Sequence, residues 1–188
     1  MLFKDNLDNT FFTADLHLYH NNIIDYVSRP FGSTNEMHSS ITKAFNSVLT
    51  TDSDLYIVGD ITLLASEFCG RIRKCLSAIN GRKHLIVGNH DLWRVRNYLE
   101  AGITTLHSAG SFKYEGIRFF MMHDPAEYIC IENGTNVLLC GHIHTLFKHL
   151  FPKKRIINVG VDVWEYKPVS IEQIMQIVRG EYSDRLEI

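Results

Sequence analysis

A chain of 188 residues, 45% hydrophobic and 21% charged, is long enough for a sizeable core and too ordinary in composition for a fibrous or disordered protein. Its net charge of -2 argues against a general nucleic-acid coat or a binder of anionic membranes. The four cysteines, Cys69, Cys75, Cys130 and Cys140, make no C-x-x-C pair, which argues against a disulfide framework or a Cys-rich structural zinc site.

No repeat, low-complexity tract or Pro/Gly/Ser linker divides the chain, and residues 1–188 are expected to form one domain. No run is long and apolar enough to span a bilayer. The start, Met1 to Asn6, lacks a charged head followed by an apolar stretch, so a reducing cytoplasm is the expected compartment. Cys130 and Cys140 sit in apolar runs and read as small buried hydrophobes.

In chain order, residues 10–14 read as a strand ending at Asp15. Asn22 to Ser28 reads as a short helix that stops before Arg29-Pro30, because the residue before proline avoids the helical region. Ser33 or Thr34 can cap a second helix, with Met37, Ile41, Ala44, Phe45 and Val48 at helical spacing. Leu55 to Val58 is a strand ending at Gly59-Asp60. A helix around Ser66 to Ile79 breaks at Asn80-Gly81. His84 to Val87 is a strand ending at Gly88-Asn89, and Asp91 to Glu100 reads as a helix. Ser111–Tyr114 and Ile117–Met122 flank a hairpin turn at Glu115-Gly116. Asn136–Cys140 and Arg155–Val159 are further strands. Ile171, Ile174, Met175 and Val178 share one face of a final helix. Alternation followed by a hairpin predicts an α/β fold: a two-sheet sandwich of mixed strands with helices outside.

Five of these strand ends carry residue types suited to binding metals: Asp15-Leu16-His17, Gly59-Asp60, Gly88-Asn89-His90-Asp91, His123, and Gly141-His142-Ile143-His144. Each segment alone is weak. Asp-x-His occurs by chance, Gly-Asp is often a turn, and Gly-Asn-His-Asp is also a helix cap. Together, each behind an apolar run, they point to carboxylate, carboxamide and imidazole gathered at one sheet edge. Asp15 and His17 are two apart and would point the same way from extended backbone. A carboxylate such as Asp60 can bridge two cations, which an imidazole cannot. Oxygen and nitrogen donors without thiolate suit manganese, iron or zinc, and calcium would want more oxygens.

The ordered set D-x-H, G-D, G-N-H-[DE], a lone His and G-H-x-H resembles the calcineurin-like metallophosphoesterase superfamily. The runs Thr13 to Phe31 and Asn158 to Val163 also look like its small single-domain bacterial and phage phosphohydrolases. The resemblance implies that Asp15, His17, Asp60 and His144 hold one divalent ion, Mn2+ first with Fe or Zn as alternatives. Asp60, Asn89, His123 and His142 would hold a second, with Asp60 as the bridge. His90 would be the catalytic residue, a general acid and no ligand. Two cations about 3.5–4 Å apart would neutralise a phosphate ester, and a hydroxide between them would attack phosphorus in line.

One departure matters. Many phosphoprotein phosphatases of the superfamily continue as G-D-x-x-D-R-G, and this chain reads Gly59-Asp60-Ile-Thr-Leu-Leu-Ala. That favours small phosphodiesters or nucleotides as substrates over phosphoproteins, and leaves open what orients His90. A nuclease would want a basic track. Arg71-Ile-Arg73-Lys74, Arg94-Val-Arg96 and Lys153-Lys154-Arg155 read more simply as solvated faces. A non-catalytic scaffold of the same fold is the competing class. A membrane partner is not expected, and the oligomeric state is not readable. His20 and Asn21 either reach substrate or pack beside the first helix, and packing is favoured. Arg29 is either an ion-pair residue or a phosphate contact. Asp162 and Trp164 read as rim residues, and His38, His84, His107 and His149 as surface or strand residues.

Overall fold

The computed structural model describes residues 7–126, 136–150 and 154–182. Met1 to Asn6, Cys130 and Lys153 lie outside that set. Strands β1 (Thr10–Thr13), β2 (Asp54–Val58), β3 (Arg82–Ile86) and β4 (Ile103–His107) run parallel in the order β4-β3-β2-β1. Strand β9 (Val169–Ser170) is antiparallel on the β1 edge. The second sheet has the order β5-β6-β7-β8, from β5 (Gly110–Tyr114), β6 (Ile117–Met121), β7 (Val137–Cys140) and β8 (Ile156–Asn158). Its β5–β6 hairpin is antiparallel and its other pairings are parallel. Glu115 (φ 46°) and Gly116 (φ 78°) turn the hairpin, both in the left-handed region that a tight primed turn requires. The α/β sandwich of two mixed sheets flanked by helices is therefore the fold.

Period-two alternation assigns the faces. Phe12, Tyr56 and Val58 point to the second sheet, where Phe12 stacks on Phe112 (centroids 5.6 Å apart) and Phe112 on Phe119 (4.9 Å). Leu55, Ile57 and Leu85 point the other way, onto α2 (Thr34–Asn46), α3 (Cys69–Ala78) and α4 (Val95–Glu100). Helix α2 buries Met37, Ile41 and Phe45, and Ser33 caps it by accepting the Glu36 N–H. Helix α5 (Ile171–Arg179) opens with a Ser170–Gln173 capping box and buries Ile171, Ile174, Met175 and Ile177 against the inter-sheet core.

Several sequence expectations are corrected. Helix α2 ends before Val48, which is 41% exposed. Ser66–Phe68 is a 3-10 turn preceding α3. Residues 91–94 are not helical, because the Asp91 side chain bonds to backbone of the Asp60–Ile61 loop and of its own loop at Gly88 instead of starting a helix. Strand β4 was not expected at all. Its alternation is diluted by Thr104 and Thr105, and it pairs on one side only. His38 is buried within α2, where its Nε2 accepts the Tyr19 N–H at 2.9 Å.

Candidate metal centre

Strands β1, β2 and β3 are parallel, as are β6 and β7, so their carboxyl ends meet along one edge. Asp15, Asp60, Asn89, His123, His142 and His144 each follow one of those ends within a few residues. Ligands at the carboxyl edge of parallel strands are a general habit of such sheets. The loops are laced together by backbone. Asp15 N–H donates to Gly59 O (3.0 Å), His17 N–H to Asp60 O (3.0 Å), and Gly141 N–H to His123 O (3.1 Å).

The loop backbone is unusual. Asp15 (φ 59°), His17 (47°), Asp60 (60°), His142 (72°) and His144 (45°) all occupy the left-handed region. Asp15 and His17 therefore do not converge through extended backbone, as their spacing suggested. They converge through two left-handed residues. Such conformations are uncommon for side-chain-bearing residues and gather at functional sites. Gly59 (φ 89°) is required for a second reason, since a Cβ there would strike the His123 ring. At Gly141 a Cβ would lie 2.8 Å from Asp15 Oδ2.

The carboxylates and imidazoles face one another. Asp60 Oδ1 accepts the His90 N–H at 3.0 Å. Its Oδ2 lies 3.2 Å from His123 Nε2 and 3.7 Å from His17 Nε2. It thus faces members of both expected ligand sets, the position a bridging carboxylate needs. Asn89 Oδ1 is 3.0 Å from His123 Nε2 and 3.0 Å from His142 Nδ1. Both Asp15 oxygens are 3.0 Å from the His142 N–H. Ligand atoms of Asp15, His17 and His144, and of Asp15, Asp60 and His123, lie within 4.8 Å of one another. No cysteine joins these groups among the described residues.

Several observations show that these residues fit cations. Both ring nitrogens of His17 are buried without a hydrogen-bond partner. Burial lowers its pKa to about 3, so the ring stays neutral, as a ligand must be. His123 Nδ1 sits 2.8 Å from Val58 O, which can only accept, so Nδ1 carries a proton. Its Nε2 meets two further acceptors, Asn89 Oδ1 and Asp60 Oδ2. A proton there stands where a cation would. Burial alone would lower the His123 pKa, but the bond to Asp60 and the charges of Asp15 and Asp60 raise it to about 9. Burial pushes the Asp15 carboxyl up to about 6, against the pull of His123 and His144. Burial would do the same to Asp60, but its bond to His123 holds it below the usual carboxylate value.

A pH dependence follows. His123 and His144 both have raised pKa values, so the folded, metal-free protein keeps protons that the unfolded chain releases above pH 6.5. The His123 contribution is fully present below pH 6.5 and is lost as pH rises through about 9, and that of His144 is lost in the same direction above pH 6.5. Chelated protein should therefore lose thermal stability between pH 6.5 and 9, whereas metal-loaded protein, with neutral imidazoles, should not. Melting curves of the two forms across that window are the check.

Arg29 and Asp162 complete the centre from behind. The Arg29 guanidinium and the Asp162 carboxylate, 0% and 1% exposed, form a two-pronged pair at 2.7 and 3.0 Å. Arg29 also donates to Asp15 O (2.8 Å) and Leu16 O (3.2 Å), pinning the first loop. Asp162 Oδ2 lies 2.7 Å from His144 Nδ1, which leaves Nε2 free to face the centre. Arg29 is thus an ion-pair residue turned inward. Asp162 and Trp164 are interior and do not shape a rim. Asp162→Asn keeps the shape and removes the charge, and is expected to weaken binding of one ion by about 10–100-fold, read by calorimetric titration with Mn2+.

Asp91 has a related task. Its buried carboxylate accepts N–H groups from Asp60 (2.8 Å), Ile61 (3.0 Å) and Gly88 (2.9 Å), tying the second and third motif loops together. It does not orient His90. The His90 side chain is 41% exposed, its Nε2 is 4.0 Å from Asp60 Oδ2, and its ring stands edge-on to His17 at 5.7 Å. Among the described residues no hydrogen bond reaches that ring.

No family model matches the sequence. The chain is 30% identical over 169 residues to the uncharacterized protein MJ1445 of Methanocaldococcus jannaschii, with 88% of each chain covered. It is 28% identical over 204 residues to the Gene 66 protein of Mycobacterium phage L5, covering 92% of this chain and 95% of that one. A solved structure, a protein of unknown function, AQ665, from Aquifex aeolicus, superposes with a TM-score of 0.73 at 24% identity, over 89% of this chain and 98% of that one. That likeness shows that the two share a fold.

Proposed function

This chain belongs to the same family as the uncharacterized protein MJ1445, and from the geometry of its candidate metal centre we propose that it is a metal-dependent phosphoesterase acting on phosphodiesters. The observation that carries the proposal is the convergence of Asp15, His17, Asp60, Asn89, His123, His142 and His144 from strand ends spread over more than a hundred residues. Donors of nitrogen and oxygen alone suit two divalent ions, with manganese first and iron or zinc as alternatives. Bound there, such ions neutralise a phosphate ester and supply a water acidic enough to act as nucleophile near neutral pH.

The protein's own side chains do the rest. Asp60 presents one oxygen to the centre while the His90 N–H holds the other. Asp162 and Val58 O fix the ring orientations of His144 and His123. His90 overhangs the centre, half-exposed, where it can protonate a leaving oxygen. The inward pairing of Arg29 means that this guanidinium does not greet a second phosphate charge. A singly charged diester suits such a site better than a dianionic monoester.

The test is hydrolysis of a chromogenic phosphodiester and the matching monoester by Mn2+-loaded protein. A higher kcat/KM for the diester is expected. Absence of hydrolysis of both, with two ions bound, would instead identify a non-catalytic scaffold.

A further inference from the structure

A row of rings leaves the metal centre in one direction. His17 lies at its inner end, 5.5 Å between centroids from His20. His20 in turn meets Tyr26 edge-on at 6.0 Å, with an interplanar angle of 77°. Tyr26 closes the five-residue helix α1 (Asn22–Tyr26) and is 71% exposed. Its hydroxyl is held by Asn22 Nδ2 at 3.3 Å, so the ring is positioned although it is not packed. His20 Nδ1 is buried without a partner, as both His17 nitrogens are. The packing expected of His20 thus takes place along a line from the ligands to solvent.

Resting on the phosphodiesterase reading of the centre, we propose that this row is the subsite for one ester arm of the substrate, with a sugar over His20 and a nucleobase stacked on Tyr26. Two ring-sized steps separate His17 from Tyr26, and two ring-sized units, ribose and base, lie beyond the phosphorus of a nucleotide. The neighbours of Tyr26 decide against other arms. Asn21, Asn22 and Asp25 are exposed around it. An acyl chain would want continuous apolar surface, which these residues interrupt. A longer nucleic acid would bring further phosphates toward the Asp25 carboxylate, which repels them. A single planar base has a face for the tyrosine ring and edges that amide and carboxylate groups can bond.

The experiment compares a nucleoside 5′-methyl phosphodiester with the matching base-free ribose diester, using Mn2+-loaded protein. In the parent the nucleoside compound should have the higher kcat/KM. Tyr26→Ala should lower that preference by roughly tenfold, while Tyr26→Phe retains most of it, since base stacking on one ring is worth about that factor. An unchanged preference in Tyr26→Ala overturns the subsite. Calorimetric binding of adenosine monophosphate against ribose 5-phosphate gives a readout that needs no turnover. If the parent binds both equally, the subsite is wrong whatever the enzyme hydrolyses. If neither diester is hydrolysed but adenosine monophosphate binds more tightly through Tyr26, the phosphoesterase reading falls and the base subsite stands.

Discussion

Asp60→Asn is expected to abolish the metal pair and to lower kcat/KM on a phosphodiester by more than about 10³-fold. Loss of one preorganised electrostatic partner commonly costs about 10²–10³-fold. Asp60 is the carboxylate that faces both His17 and His123, so under the proposed two-ion reading its loss would reach both ions at once. Asparagine keeps an oxygen for the His90 N–H and tolerates the left-handed backbone at φ 60°. The fold should therefore survive, and elemental analysis should show less than one ion per chain. Two ions retained with full activity would remove Asp60 from the bridging position.

His90→Ala should behave in the opposite way. Its side chain is half-exposed, and no other ring in the centre depends on it through a hydrogen bond among the described residues. Metal content should stay at two ions per chain while kcat falls about 10²–10⁴-fold, the usual worth of a general acid. The deficit should be largest for a substrate with an alkoxide leaving group. It should shrink for p-nitrophenolate, which needs no proton. If metal content falls in step with activity, His90 is holding the centre and does not serve as the acid.

The parts of this centre that sequence makes legible are those close together in the chain. Asp-x-His, Gly-Asp, Gly-Asn-His-Asp and Gly-His-x-His each sit behind a strand that its own apolar run announces, so their meeting at one sheet edge follows from parallel pairing. Strand β4 is not announced, because Thr104 and Thr105 break its apolar pattern. The Arg29–Asp162–His144 linkage is equally hidden. Arg29 and Asp162 are 133 residues apart, and each alone looks like a surface charge. Ala14 bridges to Gly160, which sets Asp162 beside the Asp15–Leu16 loop that Arg29 also reaches. A buried arginine is foreseeable only when its partner is known. The left-handed turns at His17 and His144 were also unreadable, since histidine carries no local preference that would announce them.

Those turns carry a consequence for the protein's history. Each left-handed histidine or aspartate costs about 1 kcal/mol or more relative to glycine at the same place. A population selected for durability alone would trade His17, His142 and His144 for glycine and gain in melting temperature. Five such residues fall at this one edge, so the strain that glycine would relieve there is tied to the donors these side chains carry.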